Sequence, residues 1–360
     1  MKSDKRKQQP IAGDHTSAVA NHPPLVVRPP RYLISQEQLE AWLDGLAQEQ
    51  TLVAPRQVAG LVLYRGVADS AQIVFDAQRP MLSAKEFFFP PTEQLLTIEK
   101  IGAEIKLNEI LPDEKMIIFG VRPCDARGIC LLDAMFINTA PADPYYARRR
   151  ENTILIGMAC EEMGPNCFCT SVGGAPDSPG GMDVMLYPAQ DGYVAEAITD
   201  KGHFLLAKAG WLESVVGGTK LAEAGRFPVP EKGKWPQHFN DAYWQKMSER
   251  CLSCRACTYV CPTCRCFAVR DEMIQPGEFE RIRCWDACAG ENYRRVAGGH
   301  RPRAEKSERL RNRFFCKFYY YPEQYRLSTV SACTGCGRCI EVCPAGVDIT
   351  EVLTDLEKMA

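Results

Sequence analysis

The sequence predicts an α+β chain in which a mixed α/β N-terminal domain precedes a mainly helical, cysteine-dense one. Three observations predict it. Continuous apolar runs of buried-strand type, at Met116 to Val121 and Thr153 to Met158, alternate with segments of helical periodicity early in the chain. Of the 18 cysteines, 13 fall between Cys251 and Cys343. The 360 residues suit two domains at roughly 100 to 200 residues each. With 46% hydrophobic and 24% charged residues the chain has ordinary globular composition, which excludes wholesale disorder. A net charge of −2 supplies no global field toward nucleic acid or an anionic membrane.

The N-terminal elements follow in order. Residues 1–30 are polar, punctuated by proline and aperiodic, which predicts a flexible tail. Leu39, Trp42, Leu43 and Leu46 have helical spacing within residues 34–50, and β-rich runs follow at 61–64 and 72–75. The strand Met116 to Val121 leads through Arg122-Pro123 into a helix from Cys124 to Phe136, where Ile129, Leu132 and Phe136 share one face and Cys130 is expected in the core. Thr153 to Met158 runs directly into Cys160. Both early cysteine groups therefore lie just beyond strand C-termini, where α/β layers keep their sites. Residues 180–208 read as strand, turn, strand, helix, and the Pro/Lys-rich stretch 226–237 as a linker. The expected division is thus a tail at 1–30, a mixed domain at 31–235 and a helical domain at 236–360.

Cysteine clusters in a large chain signal metal or redox chemistry more often than disulfides. Cys251-x2-Cys254-x2-Cys257-x3-Cys261-Pro262 and Cys333-x2-Cys336-x2-Cys339-x3-Cys343-Pro344 are two copies of the bacterial 4Fe-4S ligand run. Three thiolates at this spacing wrap one cluster while the fourth reaches the other. The crossed rule assigns Cys251, Cys254, Cys257 and Cys343 to one cluster and Cys333, Cys336, Cys339 and Cys261 to a second. Zinc fits poorly, because it prefers two C-x2-C pairs separated by a longer loop. The motifs stand 82 residues apart, and the sequence between them, notably Glu305 to Phe318, has helical composition. Helices are accordingly expected to bring the two motifs together.

Cys160, Cys167 and Cys169 lie in and before a Gly-rich loop, and Cys124 at a helix start supplies a fourth thiol for a third 4Fe-4S cluster; inert buried thiols are the alternative. Cys264, Cys266 and Cys288 leave a further site open, while Cys284 and Cys316 have no assignment. Neither G-x-G-x-x-G after a strand nor a P-loop is present, and the five histidines have no ligand-like spacing. The arginines between Arg294 and Arg313 read as a solvated helix face with pairs such as Glu305 to Arg309, as a docking surface for an acidic partner or nucleic acid, or as a source of positive potential near a cluster. The aromatic block Phe314 to Tyr321 reads as packing around clusters or an inter-subunit patch. The basic N-terminus has no apolar segment behind it, and no run approaches the 18 or so apolar residues of a membrane span, so a cytoplasmic location without membrane insertion is expected.

Phe119-Gly-Val-Arg-Pro-Cys124-Asp125, Cys167-Phe-Cys169-Thr-Ser, the first motif with its Pro262-Thr-Cys264 continuation, Trp285-Asp286-Ala-Cys288, Gly299-His300-Arg-Pro302 and the final motif occur in this order. From about residue 85 to 350 the chain thereby resembles the iron–sulfur subunit family shared by cytoplasmic sulfhydrogenases, where it is the beta subunit, and anaerobic sulfite reductase. Similar subunits occur beside heterodisulfide-reductase-like complexes. The resemblance implies a non-catalytic electron relay in an anaerobic oxidoreductase complex, with a flavin/NAD(P)H-binding reductase subunit on one side and a separate catalytic subunit on the other. A self-contained reductase acting at Cys124, Cys160, Cys167 and Cys169 is the alternative, and a nucleic-acid-binding iron–sulfur protein a third reading. No nucleic-acid partner is expected.

Overall fold

The computed structural model describes residues 30–212, 225–327 and 331–359. The tail expected at 1–30 lies almost wholly outside them. In chain order the elements are β1 (Arg31–Ile34), α1 (Gln36–Glu49), β2 (Thr51–Val58), β3 (Leu61–Val67), β4 (Thr92–Ile101), β5 (Glu104–Glu109), β6 (Met116–Val121), α2 (Pro123–Phe136), α3 (Pro144–Asn152), β7 (Thr153–Met158), β8 (Val184–Ala189), β9 (Gly192–Ala197) and α4 (Asp200–Lys208). There follow α5 (Tyr243–Arg250), α6 (Ala256–Tyr259), β10 (Phe267–Gln275), β11 (Glu278–Trp285), α7 (Lys306–Phe315), α8 (Tyr321–Gln324), α9 (Arg338–Glu341) and α10 (Ile349–Met359).

Seven strands form a sheet ordered β1-β9-β8-β7-β6-β2-β3, with β2, β6, β7 and β8 parallel. Helices cover both faces. Leu39 and Leu43 of α1 and Leu206 of α4 pack with Ile117, Phe119 and Ile156 on one face; Ile129, Leu132 and Phe136 of α2 pack with Ile118, Val121 and Leu155 on the other. Each such side chain contributes roughly 1.5–3 kcal/mol by leaving water. Two-sided burial is why β6 reads as an unbroken apolar run rather than an alternating one. The layered architecture places the C-terminal ends of β6 and β7 beside Cys124 and Cys160.

A second, antiparallel sheet runs β10-β11-β4-β5. The sequence between the two motifs is not helical throughout, since β10 and β11 form a hairpin across residues 267–285. That hairpin pairs with β4, so strands from both sides of residue 235 share one sheet. The stretch 226–237 is not a free linker either, because Trp235 is fully buried and stacks on Phe318 with centroids 5.0 Å apart. Residues 70–72 form a short 3-10 turn where 72–75 had suggested a strand. Cys130 is exposed on α2 rather than in the core.

Trp235, Trp244, Phe314, Phe315 and Phe318 join Val352, Leu353 and Leu356 of α10 in a helical core, to which Phe168 and Val172 contribute from the earlier half of the chain. The aromatic block therefore packs inward. So do two residues of the arginine segment: Arg309 and Arg313 are buried, and Arg309 donates to the carbonyls of Arg303 and Ala304 instead of pairing with Glu305.

Candidate metal centres

The two motifs fold alike. Each begins as an extended loop and ends in a one-turn helix, α6 in the first and α9 in the second. The amide of Ser253 donates to Cys251 Sγ at 3.4 Å, and that of Gly335 to Cys333 Sγ at 3.4 Å. Both loops need a left-handed backbone at two corresponding positions, which Ser253 (φ 54°) and Arg255 (φ 68°) supply in the first and Gly335 (φ 66°) and Gly337 (φ 75°) in the second. Such curling points successive amides toward the loop's interior, where thiolates and sulfides accept hydrogen bonds.

Cys251, Cys254, Cys257 and Cys343 line one cavity, together with Leu310, Arg313 and Val347. The fourth thiol thus comes from the other motif, and the Val347 amide donates to it at 3.2 Å. Cys261 in turn leaves its own motif and faces Cys333 and Cys339. Cys261, Cys333 and Cys336 are all buried. Burial pushes the Cys333 thiol up to about 11 and the Cys339 thiol up to about 12, opposed by Lys317 and Arg313 respectively. Cys261 goes the other way: a hydrogen bond from Cys264, the Lys317 ammonium 3.0 Å from its sulfur and the Thr263 hydroxyl hold it well below its ordinary value.

Arg313 is fully buried between Cys257 and Cys339, and its Nε and Nη2 find no hydrogen-bond partner. Thr334 Oγ1, inside the second motif, is equally orphaned. A buried guanidinium without a counter-charge costs several kcal/mol, so its surroundings must carry negative charge. Two sets of four thiolates around anionic clusters meet that requirement. Among the described residues no three Cys, His, Asp or Glu side chains converge on a single ion, whereas a four-iron cage holds its thiolates further apart. The residues therefore fit 4Fe-4S clusters.

Cys124, Cys160, Cys167 and Cys169 also come together, lining a cavity with Arg79, Arg122, Gly164 and Cys336. Cys124 enters at the second position of α2, Cys160 follows β7, and Cys167 and Cys169 sit on a loop closed by the bond from Gly174 N to Cys169 O at 2.8 Å. Burial raises the thiols of Cys124, Cys160 and Cys169, the last to about 11. This loop packs directly on the second motif, where Phe168 N donates to Gly335 O at 2.8 Å. A Cβ on Gly335 would stand 2.5 Å from Cys169 N, and one on Gly337 would overlap the Asn166 carbonyl.

Sequence reasoning missed the clamp that joins these two sites. Arg338, in the second motif, donates to Asp125 through Nη1 at 2.6 Å and Nη2 at 2.7 Å, with both side chains wholly buried. Asp125 follows Cys124, so the ion pair fixes α2 against α9. Spacing alone could not pair residues more than 200 positions apart.

The 4Fe-4S dicluster domain family matches residues 250–347. Among curated proteins, Sulfhydrogenase 2 subunit beta of Pyrococcus furiosus is 33% identical over 344 residues, covering 91% of this chain and 99% of that protein. No solved structure matches. Among the described residues no helix is long and apolar enough to cross a membrane.

Proposed function

The chain belongs to the sulfhydrogenase subunit beta family, and from that premise we propose that it relays single electrons within a cytoplasmic anaerobic oxidoreductase, with a flavin/NAD(P)H-binding reductase subunit at one end of the path and a separate catalytic subunit at the other. The observation that carries this reading is the crossed thiol set, Cys343 beside Cys251, Cys254 and Cys257. It interlocks two sites so closely that Arg313 borders both.

Bound clusters would take up and release one electron at a time. The protein's own part is to hold eight thiolates, Cys251, Cys254, Cys257 and Cys343 at the first site and Cys333, Cys336, Cys339 and Cys261 at the second. It also excludes water with the surrounding aromatic core and balances charge with Arg313 and Lys317. We assign a third cluster to Cys124, Cys160, Cys167 and Cys169, whose loop abuts the second motif. Candidate terminal partners are a hydrogenase, a sulfite reductase or a heterodisulfide-reductase-like subunit. Met273, Phe279, Ile98 and Leu107 lie side by side across β10, β11, β4 and β5, with Met273 and Leu107 exposed, and this row supports assigning that face of the sheet to docking of a partner subunit.

The test is anaerobic titration of the isolated chain with a chemical reductant. A relay takes up about one electron per cluster and stops, and resumes only when a flavoprotein donor and a catalytic acceptor are supplied. Sustained reduction of sulfite, protons or a disulfide by the isolated chain would favour the self-contained enzyme instead.

A further inference from the structure

The fold gathers four cysteines that neither motif nor the third site uses. Cys264 and Cys266 follow Pro262 on the loop entering β10, and Cys288 follows β11; the amide of Asp286 donates to Cys266 O at 2.8 Å, tying the two segments together. Cys266 and Cys288 are in side-chain contact, and Cys264 and Cys316 are the other sulfurs facing Cys288. Cys316 arrives from a different direction. It opens a π-helical turn, Cys316–Tyr320, inserted between α7 and α8, and such turns occur mostly at functional sites.

Three cations surround this group with no carboxylate partner among the described residues. Arg265 donates to Cys316 Sγ at 3.4 Å while its guanidinium lies 3.4 Å over the Tyr321 ring. Lys317 reaches Thr263 Oγ1 at 2.9 Å and Cys264 Sγ at 3.7 Å. Lys85, almost fully buried, donates to Cys264 O at 3.1 Å and lies 3.9 Å over the Trp285 ring. Neutral thiols or a disulfide would leave the Arg265 guanidinium and the Lys317 ammonium uncompensated, and an anionic centre at these sulfurs supplies the balancing charge. Part of that charge comes from the second site, whose Cys261 shares Lys317 and also faces Lys85. Arg265 faces Cys316, Cys266 and Cys264, and Lys85 faces Cys264 and Cys266. These thiols, like those of the two motifs, do not converge on one ion.

We infer that Cys264, Cys266, Cys288 and Cys316 hold a further 4Fe-4S cluster, adjoining the second motif's site through Lys317. The second site then has three neighbours: the first motif's site, the Cys124 site and this one. It becomes the junction of a branched relay rather than one link in a line. The inference rests on the iron–sulfur reading of the motifs.

The experiment is iron, acid-labile sulfide and zinc analysis of the full chain purified without oxygen, comparing the unaltered protein with a Cys288→Ser, Cys316→Ser double variant and with Cys336→Ser. The double variant is expected to lose about 4 irons and 4 sulfides while keeping the paramagnetic signals of the motif sites. Unchanged iron in the double variant, or loss of one zinc instead, overturns the inference. Unchanged iron in Cys336→Ser as well would instead indict the motif reading itself. Should the double variant not fold, Cys316→Ala and Cys316→His decide: loss of about 4 irons in the first and retention in the second support the site, and full iron in the Cys316→Ala protein contradicts it.

Discussion

The two motifs carry the same cysteine spacing and the same backbone, yet they sit in opposite surroundings. In the first, Cys254 is exposed and Leu252 beside it is 66% exposed; in the second, Cys333 and Cys336 are buried and the loop is covered by residues 166–169. Residue choice follows. Where the first loop meets solvent, Ser253 and Arg255 tolerate the left-handed backbone; where the second meets another chain segment, only glycine leaves room. Arg338 in the second motif is locked to Asp125, while its counterpart in the first is Ala256. One copy faces solvent and the other is enclosed, which in the proposed relay makes the first a port and the second an interior junction.

The largest test of that difference is the clamp. Asp125→Ala leaves Arg338 buried and unpaired and is expected to lower stability by about 3–5 kcal/mol, measured by denaturant unfolding under anaerobic conditions. A loss under about 1 kcal/mol would show that the second motif is no more anchored than the first. Next comes the glycine contrast. Gly337→Ala, opposed by a left-handed φ and the Asn166 carbonyl, should cost about 2–4 kcal/mol, whereas Arg255→Gly at the matching position should change stability by less than about 1 kcal/mol. Equal costs would erase the comparison.

Charge sharpens it further. Arg313 faces cysteines of both sites and Lys317 those of the second. Removing a positive charge disfavours the added electron, so Arg313→Met should lower both motif midpoint potentials and Lys317→Met those of the second motif's site and the adjoining Cys264 site, each by on the order of 100 mV, the one-electron equivalent of about 2 kcal/mol. A rise, or a uniform effect of both variants, would contradict the placement. The smallest effect is expected at the solvent side, where Arg250 pairs with Glu351 at 2.8 Å with both side chains about 40% exposed. Glu351→Ala should alter thermal stability by less than about 1 kcal/mol.

Much of this was legible in the sequence. The apolar runs located β6 and β7 and hence the positions of Cys124 and Cys160, because buried parallel strands have a pattern of their own. The C-x2-C-x2-C-x3-C-P runs named eight thiols, because ligand spacing is a local property. What escaped was nonlocal. The β10–β11 hairpin is polar and half exposed, pairing with β4 from far upstream, so its strands gave no strong periodicity. The Asp125–Arg338 clamp and the convergence of Cys316 on Cys288 depend on tertiary contacts that no window of sequence contains. Of the readings open for the arginine segment, a solvated helix face fails for Arg309 and Arg313, which are buried, Arg309 on the carbonyls of Arg303 and Ala304 and Arg313 beside cysteines of both motifs; no window of sequence separates these two from their exposed neighbours.

The most direct test of an exposed port beside a buried junction is electron paramagnetic resonance during an anaerobic redox titration of the full chain. Neighbouring reduced clusters should broaden and split one another's signals at full reduction, and brief oxidant exposure should first remove the signal that is also lost in Cys254→Ser. A spectrum that remains a sum of unperturbed centres, bleaching together, would contradict the account.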